Sequence, residues 1–302
     1  MKIVIAGGTG FLGGALTRAL DAQHHEIVIL TRAASGSRAN ARSVTWTPDG
    51  LTGPWASEID GAGAIINLAG ESIAARRWSA AHKRRVLDSR LDATRSLVAA
   101  IRNARQPPAV FVSGSAVGYY GSRGDEVLTE EAAPGDDFLA HVCQRWEAEA
   151  LRAATDRTRV VCVRTGLVLA RDGGALPPML FPFKLGVGGP VGSGRQYWPW
   201  IHRDDWVGVV SWALSAGVAG PLNATAPEPV TNAEFARALG RAMHRPALLP
   251  APAIALRAIL GEMADALILS GQRAVPRRAE HGGYAFQYRQ AAAALAAIFK
   301  AS

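Results

Sequence analysis

Gly7-Gly8-Thr9-Gly10-Phe11-Leu12-Gly13 sits between a short β-branched run, Ile3-Val4-Ile5-Ala6, and an amphipathic stretch at 11–22. Glycines at a strand-to-helix junction constrain the fold more than any other feature of the chain. Gly7 permits the tight turn, Gly10 lets a pyrophosphate approach the backbone, and Gly13 lets the helix pack on the strand. The helix N-terminus adds free N–H groups and the positive end of its dipole. The plainer alternative is a strand–helix turn that uses glycine for geometry alone. In this context the residues point to a bound dinucleotide.

The pattern after the cradle alternates strand and helix. Strands are expected at 26–31, around 44–46, and at 64–68, 109–113 and 159–164, with a Gly/Ser/Arg-rich loop at 34–42. Long helical stripes at 79–103 and 138–154 separate the later strands. Pro107-Pro108 stops the first of these. This order implies parallel strands joined by crossover helices. From 173 to 199 Gly and Pro become dense, and helices are then expected at 202–216, 232–244, 253–269 and 290–300. The expected fold is α/β: a Rossmann-type doubly wound parallel sheet with a smaller C-terminal α/β lobe. Residues 1–170 are expected to form the dinucleotide-binding domain, with part of the later chain returning to the sheet, and 171–302 the substrate-pocket lobe.

Composition excludes several classes. With 49% hydrophobic and 19% charged residues the chain is not disordered, and no apolar run is long enough to cross a membrane. Two cysteines, Cys143 and Cys162, make no disulfide scaffold, and no Cys/His spacing suggests a metal. Both read as buried, reduced thiols. No secretory signal is evident, so the expected location is cytoplasmic. The net charge of +8 invites a nucleic-acid partner. The basic residues are mostly arginine and scattered, however, and no nucleic-acid role is expected.

Coenzyme choice is read at the end of the second strand. An NAD site usually places a carboxylate there for the ribose hydroxyls; this chain has Thr31-Arg32, nineteen residues after Gly13. A guanidinium forks onto a 2′-phosphate that a carboxylate would repel, so NADP(H) is expected, the alternative being a solvated arginine. Leu68, Ala69 and Gly70 end the fourth strand, where small residues let the backbone pass close to the adenosine half. Arg90 is placed to reach phosphate or ribose, while most other cations of its helix form a solvated face.

The glycine spacing is GxxGxxG, a variant that resembles extended and atypical short-chain dehydrogenase/reductases. Longer matches sharpen the resemblance: NLAGESI from Asn67, SRLDAT from Ser89, SGSAVGYYG from Ser113, FLAHVCQRWE from Phe138, RTGLVLARDGGAL from Arg164 and a terminal GQRAVPRR. The chain is similar nearly end to end to the atypical branch often called the "epimerase family", NAD-dependent epimerase/dehydratase-like with a small C-terminal domain of unassigned role. That resemblance implies NADP(H) contacts at Thr31, Arg32, Leu68, Ala69, Arg85, Arg90 and Val168. Ser113, on the fifth strand, joins the candidate coenzyme contacts.

The same resemblance exposes a departure. Active members carry a Ser together with a Tyr and a Lys spaced YxxxK on one helix, the Tyr acting as acid/base and the Lys lowering its pKa. Aligned on Trp146-Glu147, Leu139 and Cys143 fall at those two positions. No tyrosine of the chain has a lysine four residues on, so the standard dyad is absent. Ser115 matches the family's serine. Tyr119 and Tyr120 follow it, and Tyr120 is the candidate replacement acid/base; the alternative is that both rings pack or line the pocket. Glu71, Tyr119, Arg164, Arg195 and His202 are candidates for the substrate pocket, the two arginines for an anionic substrate. Asp204-Asp205 are expected to cap the helix that follows.

Two functions stay open. One is an NADP(H)-dependent oxidoreductase or nucleotide-sugar epimerase-like protein acting on an unknown small molecule. The other is a catalytically inactive NADP(H)-binding sensor or scaffold, linked through related chains to cell division. Oligomeric state is open.

Overall fold

The computed structural model describes residues 1–33 and 41–300; most of the loop read at 34–42 therefore lies outside the described residues. Seven parallel strands form the central sheet: β1 (Lys2–Ala6), β2 (Glu26–Thr31), β3 (Ala41–Thr45), β4 (Ala64–Asn67), β5 (Val110–Ala116), β6 (Arg159–Thr165) and β7 (Gly220–Ala224). Their spatial order is β7-β6-β5-β4-β1-β2-β3. The chain leaves β1 in one direction, through β2 and β3, and later returns to β1's other side with β4. The order reverses there, so a crevice opens beyond the carboxyl ends of β1 and β4.

Alternation along the strands explains the layers. Ile3 and Ile5 point to one face, packing with Leu16 and Leu20 of α1 (Phe11–Ala22) and with Trp206 and Val209 of the Arg203–Ala213 helix. Val4 and Ala6 point to the other, packing with Leu97 and Ile101 of α2 (Ala80–Asn103) and Ala150 of α3 (Phe138–Leu151). A parallel strand covered by helices on both faces carries apolar residues at nearly every position, as β1 and β4 do. Ser79 and Asp137 start α2 and α3 by accepting the backbone N–H groups of His82 and Ala140. A third cluster, around Trp198, Trp200, Phe235 and Leu295, forms the core of the later, smaller lobe.

One strand went unread in the sequence, and two local readings need correction. The seventh strand, Gly220-Pro221-Leu222-Asn223-Ala224, has too little β-branched character to show in sequence, yet pairs along β6 over its whole length. The helix expected at 253–269 breaks: Ala253–Leu260 ends at Gly261, whose φ of +63° a side chain disfavours, and a short, differently wound segment continues to Leu269. A helix at Leu176–Lys184 runs through the Gly/Pro-dense stretch, with prolines in its first turn, where no backbone N–H is required. Among the described residues no helix is long and apolar enough to cross a membrane.

Candidate functional site

The cleft at the strand ends has two chambers that share Gly7, Gly10 and Leu68 in their walls. The glycines shape their junction. Gly7 has φ +81°, and a Cβ there would meet the Leu68 carbonyl group at 2.8 Å. A Cβ on Gly13 would lie 2.1 Å from the Gly7 carbonyl oxygen. Asn67 holds the facing strand end: its Oδ1 accepts the Ala69 N–H at 3.1 Å, and its amide donates to Thr94 at 3.0 Å. Among the described residues no side chain caps the N-terminus of α1, which starts from Gly10. Its first N–H groups remain available to an anion.

The outer chamber has a volume of about 790 Å³. Thr9, Thr31, Arg32, Ala69 and Gly70 line it, with Arg85 and Glu71 on the opposite wall. Arg85 and Glu71 pair at 3.3 Å, so their charges largely offset each other. Arg32 is exposed at the end of β2, beside Thr31, and among the described residues no carboxylate stands at the ribose position of that strand end. A bare helix N-terminus, a glycine cradle and a guanidinium at this corner fit a dinucleotide with a phosphorylated ribose.

The inner chamber, about 470 Å³, takes in Phe11, Leu12 and Gly13 from the cradle, Arg90 from α2, Ser115 from β5, and Leu139 and Cys143 from α3. The Ser115 hydroxyl donates to Glu147 Oε1 at 2.6 Å. Arg90 Nη1 donates to the carbonyls of Glu71 and Val86, and its guanidinium lies 5.1 Å from the Trp146 ring. Burial, and next the charge of Glu147, pushes the Cys143 thiol up to about 12, so it keeps its proton at neutral pH. Leu139 has no proton to give. The α3 wall therefore offers no acid/base group.

Several expected site residues lie elsewhere. Tyr120 is fully buried: its hydroxyl donates to Asn223 Oδ1 at 2.7 Å and accepts from Arg164 Nη1 at 3.0 Å. Burial pushes its pKa up to about 12 against the opposing effect of Arg164, and it lines neither chamber, so it is not placed as the acid/base. Arg164, 3% exposed, forks onto Glu147 with two bonds of 2.8 Å; committed to a buried carboxylate, it is no anion receptor. The Tyr119 ring covers that guanidinium at 3.4 Å. Arg195 is exposed outside both chambers. His202, buried, is itself the cap expected of Asp204-Asp205: its Nδ1 accepts the Asp204 N–H at 3.1 Å. Asp205 instead accepts the N–H groups of Gln287 and Tyr288, at 2.8 Å each. Ser113 is fully buried with its hydroxyl on the Gly114 carbonyl, and Val168 is packed in the core. Gly114 and Leu167, their neighbours, reach the cleft instead.

Sequence reasoning passed over Gln272, Ser270 and Leu267, which close the inner chamber from the far end of the chain. Their one local signal is Gly271, where a Cβ would meet the Tyr197 carbonyl oxygen at 1.8 Å. Among the described residues no group of His, Cys, Asp and Glu is arranged to hold a metal ion.

Comparison with known proteins agrees with this geometry. The model of the NAD dependent epimerase/dehydratase family matches residues 3–225, and a domain of unknown function, DUF1731, matches 251–298. The cattle (Bos taurus) epimerase family protein SDR39U1 is 44% identical over 300 residues, 98% of each chain. Epimerase family protein YfhF of Bacillus subtilis is 40% identical over 291 residues, 95% of this chain and 94% of that one. The crystal structure of human SDR39U1 with NADPH superposes with a TM-score of 0.91 at 40% identity, covering 99% of both chains. On these matches, and on the cradle and sheet order that accompany them, the chain belongs to the NAD dependent epimerase/dehydratase family, in its atypical short-chain dehydrogenase/reductase branch.

Proposed function

We propose that this chain binds NADP(H) along the two joined chambers and carries out hydride-transfer chemistry, of oxidoreductase or epimerase type, on a small substrate in the inner one. Residues 1–170 supply most of the coenzyme surface, and 171–302 close the substrate end. The observation that carries the reading is the continuity of the cleft from Arg32, past the glycine cradle, to Ser115. NADPH in the human relative's crystal structure supports it.

Each residue has a physical task. The Gly7–Gly10 backbone and the N-terminus of α1 would hold the pyrophosphate; Arg32 with Thr31 would hold the 2′-phosphate; Leu68 and Ala69, fixed by Asn67, would lie along the adenosine half. Ser115 donates its own proton to Glu147, which leaves its lone pairs to accept from a substrate hydroxyl and orient it. When bound, the coenzyme supplies a hydride donor or acceptor at nicotinamide C4. With Leu139 and a protonated Cys143 in the dyad positions, proton exchange falls to water. Both cysteines are free and buried, a pattern suited to a reducing compartment, and we place the chain in the cytoplasm.

The vacant dyad positions also favour a second reading, a coenzyme-binding sensor or scaffold without turnover. Calorimetric titration with NADPH and NADH tests the part common to both. NADPH is expected to bind tighter, and Arg32→Asp to weaken it by about 1–3 kcal/mol, roughly 5- to 150-fold in Kd. Equal affinities for the two coenzymes in the unmodified protein would overturn the role given to Arg32. Bound NADPH that is never oxidised across a broad carbonyl and sugar-nucleotide panel would decide for the sensor.

A further inference from the structure

The later lobe leaves an apolar face uncovered. The helix at Ala253–Leu260 reads Ala-Ile-Ala-Leu-Arg-Ala-Ile-Leu, and none of its residues is buried. Ile254 and Ile259 are 78% and 70% exposed. At the end of the Leu176–Lys184 helix, Phe181, Lys184 and Leu185 are exposed at the three- and four-residue spacing of one helix face. Leu248 and Leu249 are exposed as well. Backbone pairing sets these segments side by side: the Leu249 N–H donates to the Gly188 carbonyl, the Ala251 N–H to that of Pro190, and Val191 bridges to Ala251. Single exposed apolar residues are ordinary on a protein surface. A group of large ones on adjoining segments marks an interaction face.

The charge around the face identifies its partner. Leu248 shares a shallow hollow with Arg237, Arg241 and Arg245. Arg241 also lines a second hollow, with Lys184 and Lys300. Among the described residues no carboxylate lines either. The acids that follow the apolar helix are committed, Asp265 to Arg257 and Glu262 to Lys83. A second copy docked about a two-fold axis would bring this cationic rim back against itself, which opposes self-pairing. An anionic lipid surface complements both parts at once. Its headgroups attract Lys and Arg, and its acyl boundary accepts Leu, Ile and Phe without a shaped pocket.

We propose that this face docks the protein on the surface of an anionic lipid bilayer. Phe181, Leu185, Leu248, Leu249, Ile254 and Ile259 enter the boundary between headgroups and acyl chains, while Lys184, Arg237, Arg241 and Arg245 meet the anionic headgroups. Contact is peripheral, since among the described residues no helix can cross a membrane. The chain runs on from the apolar helix to Ala266 and Leu267 in the wall of the inner chamber, so docking engages the segment that closes the substrate end. None of these face residues lines the outer chamber, and the proposal does not depend on the coenzyme reading.

Co-sedimentation of the full chain with vesicles tests it, using phosphatidylcholine alone and equal parts phosphatidylcholine and phosphatidylglycerol. At physiological ionic strength, binding to the mixed vesicles is expected to be at least tenfold tighter than to phosphatidylcholine. Leu248→Asp with Ile254→Asp, and separately Arg241→Glu with Arg245→Glu, are each expected to weaken it at least tenfold. Leu51→Asp with Leu151→Asp makes the same charge change as the first pair at exposed leucines outside the lobe and is expected to leave binding within threefold. All the substituted positions are exposed, and urea midpoints check that each variant folds; if one pair on the face unfolds, the other still decides. No preference for the anionic vesicles would overturn the proposal and leave an acidic protein as the partner to seek. Equal weakening by the control pair, or indifference to either pair on the face, would overturn it too. So would a dimer in sedimentation equilibrium that Leu248→Asp with Ile254→Asp dissociates, which would give the face to a second copy.

Discussion

Replacing Glu147 with alanine removes the carboxylate on which a buried polar chain turns. Glu147 accepts from Ser115 at 2.6 Å and from Arg164 through two bonds of 2.8 Å. Arg164 in turn donates to Tyr120 and to the Glu130 carbonyl. Both members of the ion pair are almost fully buried. Deleting one partner of such a pair strands the other's charge and costs about 3–5 kcal/mol. That loss corresponds to a fall in apparent Tm of roughly 5–8 °C for a chain of this size. The double variant Glu147→Met, Arg164→Met removes both charges at once. It forfeits the bonds to Tyr120 and Glu130, about 1 kcal/mol each, but leaves no unpaired ion, so it should be more stable than Glu147→Ala alone. Urea unfolding followed by tryptophan fluorescence measures all three proteins. A single-variant cost below about 1 kcal/mol, or a double variant no more stable than the single, would refute the argument that the stranded guanidinium dominates.

Two further substitutions probe the cradle and a buried carboxyl. Gly13→Ala would force a Cβ to 2.1 Å from the Gly7 carbonyl oxygen; the loop must spread, and NADPH affinity is expected to fall at least about tenfold, with about 1–3 kcal/mol of stability lost to overpacking. Unchanged NADPH binding by calorimetry would show that this loop does not form the phosphate cradle. Glu130 is buried with Oε2 unpartnered. Burial raises its pKa above the ordinary 4.5, against the backbone N–H groups of Asn223 and Arg278 that lower it. The unfolded chain therefore releases this proton first as pH rises, and folding loses stability from about the ordinary pKa up to the raised one. Glu130→Gln should gain on the unmodified protein as pH goes from 4.5 to 7.5. A stability difference between the two that stays constant over that range, read from urea midpoints, would contradict the assignment.

The coenzyme end of the cleft was legible because its signals are local. The cradle spans seven consecutive residues, Thr31-Arg32 ends a recognisable strand, and the small residues after β4 directly follow a buried run. The vacancy of the dyad was equally legible, since Leu139 and Cys143 occupy one helix at fixed spacing from Trp146-Glu147. The substrate end was read less well. Tyr119, Tyr120, Arg164 and His202 are the residue types an active site uses, but the same types serve to satisfy a buried polar network, and their neighbours in the chain do not distinguish the two. Gln272 and Leu267, which line the same chamber as Ser115, had only the neighbouring Gly271 as a signal.

By itself, then, the order of residues determined the parallel sheet, the phosphate cradle and the absence of a Tyr/Lys pair, because strand and helix periods, turn glycines and helix spacing are set within a few residues of each other. Tertiary structure decided which polar groups face the cleft and which are spent in the core. Tyr120 meets its partner Asn223 across 103 residues of chain, and Ser115 meets Glu147 across 32. Burial and pairing at such separations arise only when the sheet has closed, and they, more than residue type, decide whether a hydroxyl or a guanidinium is free to act.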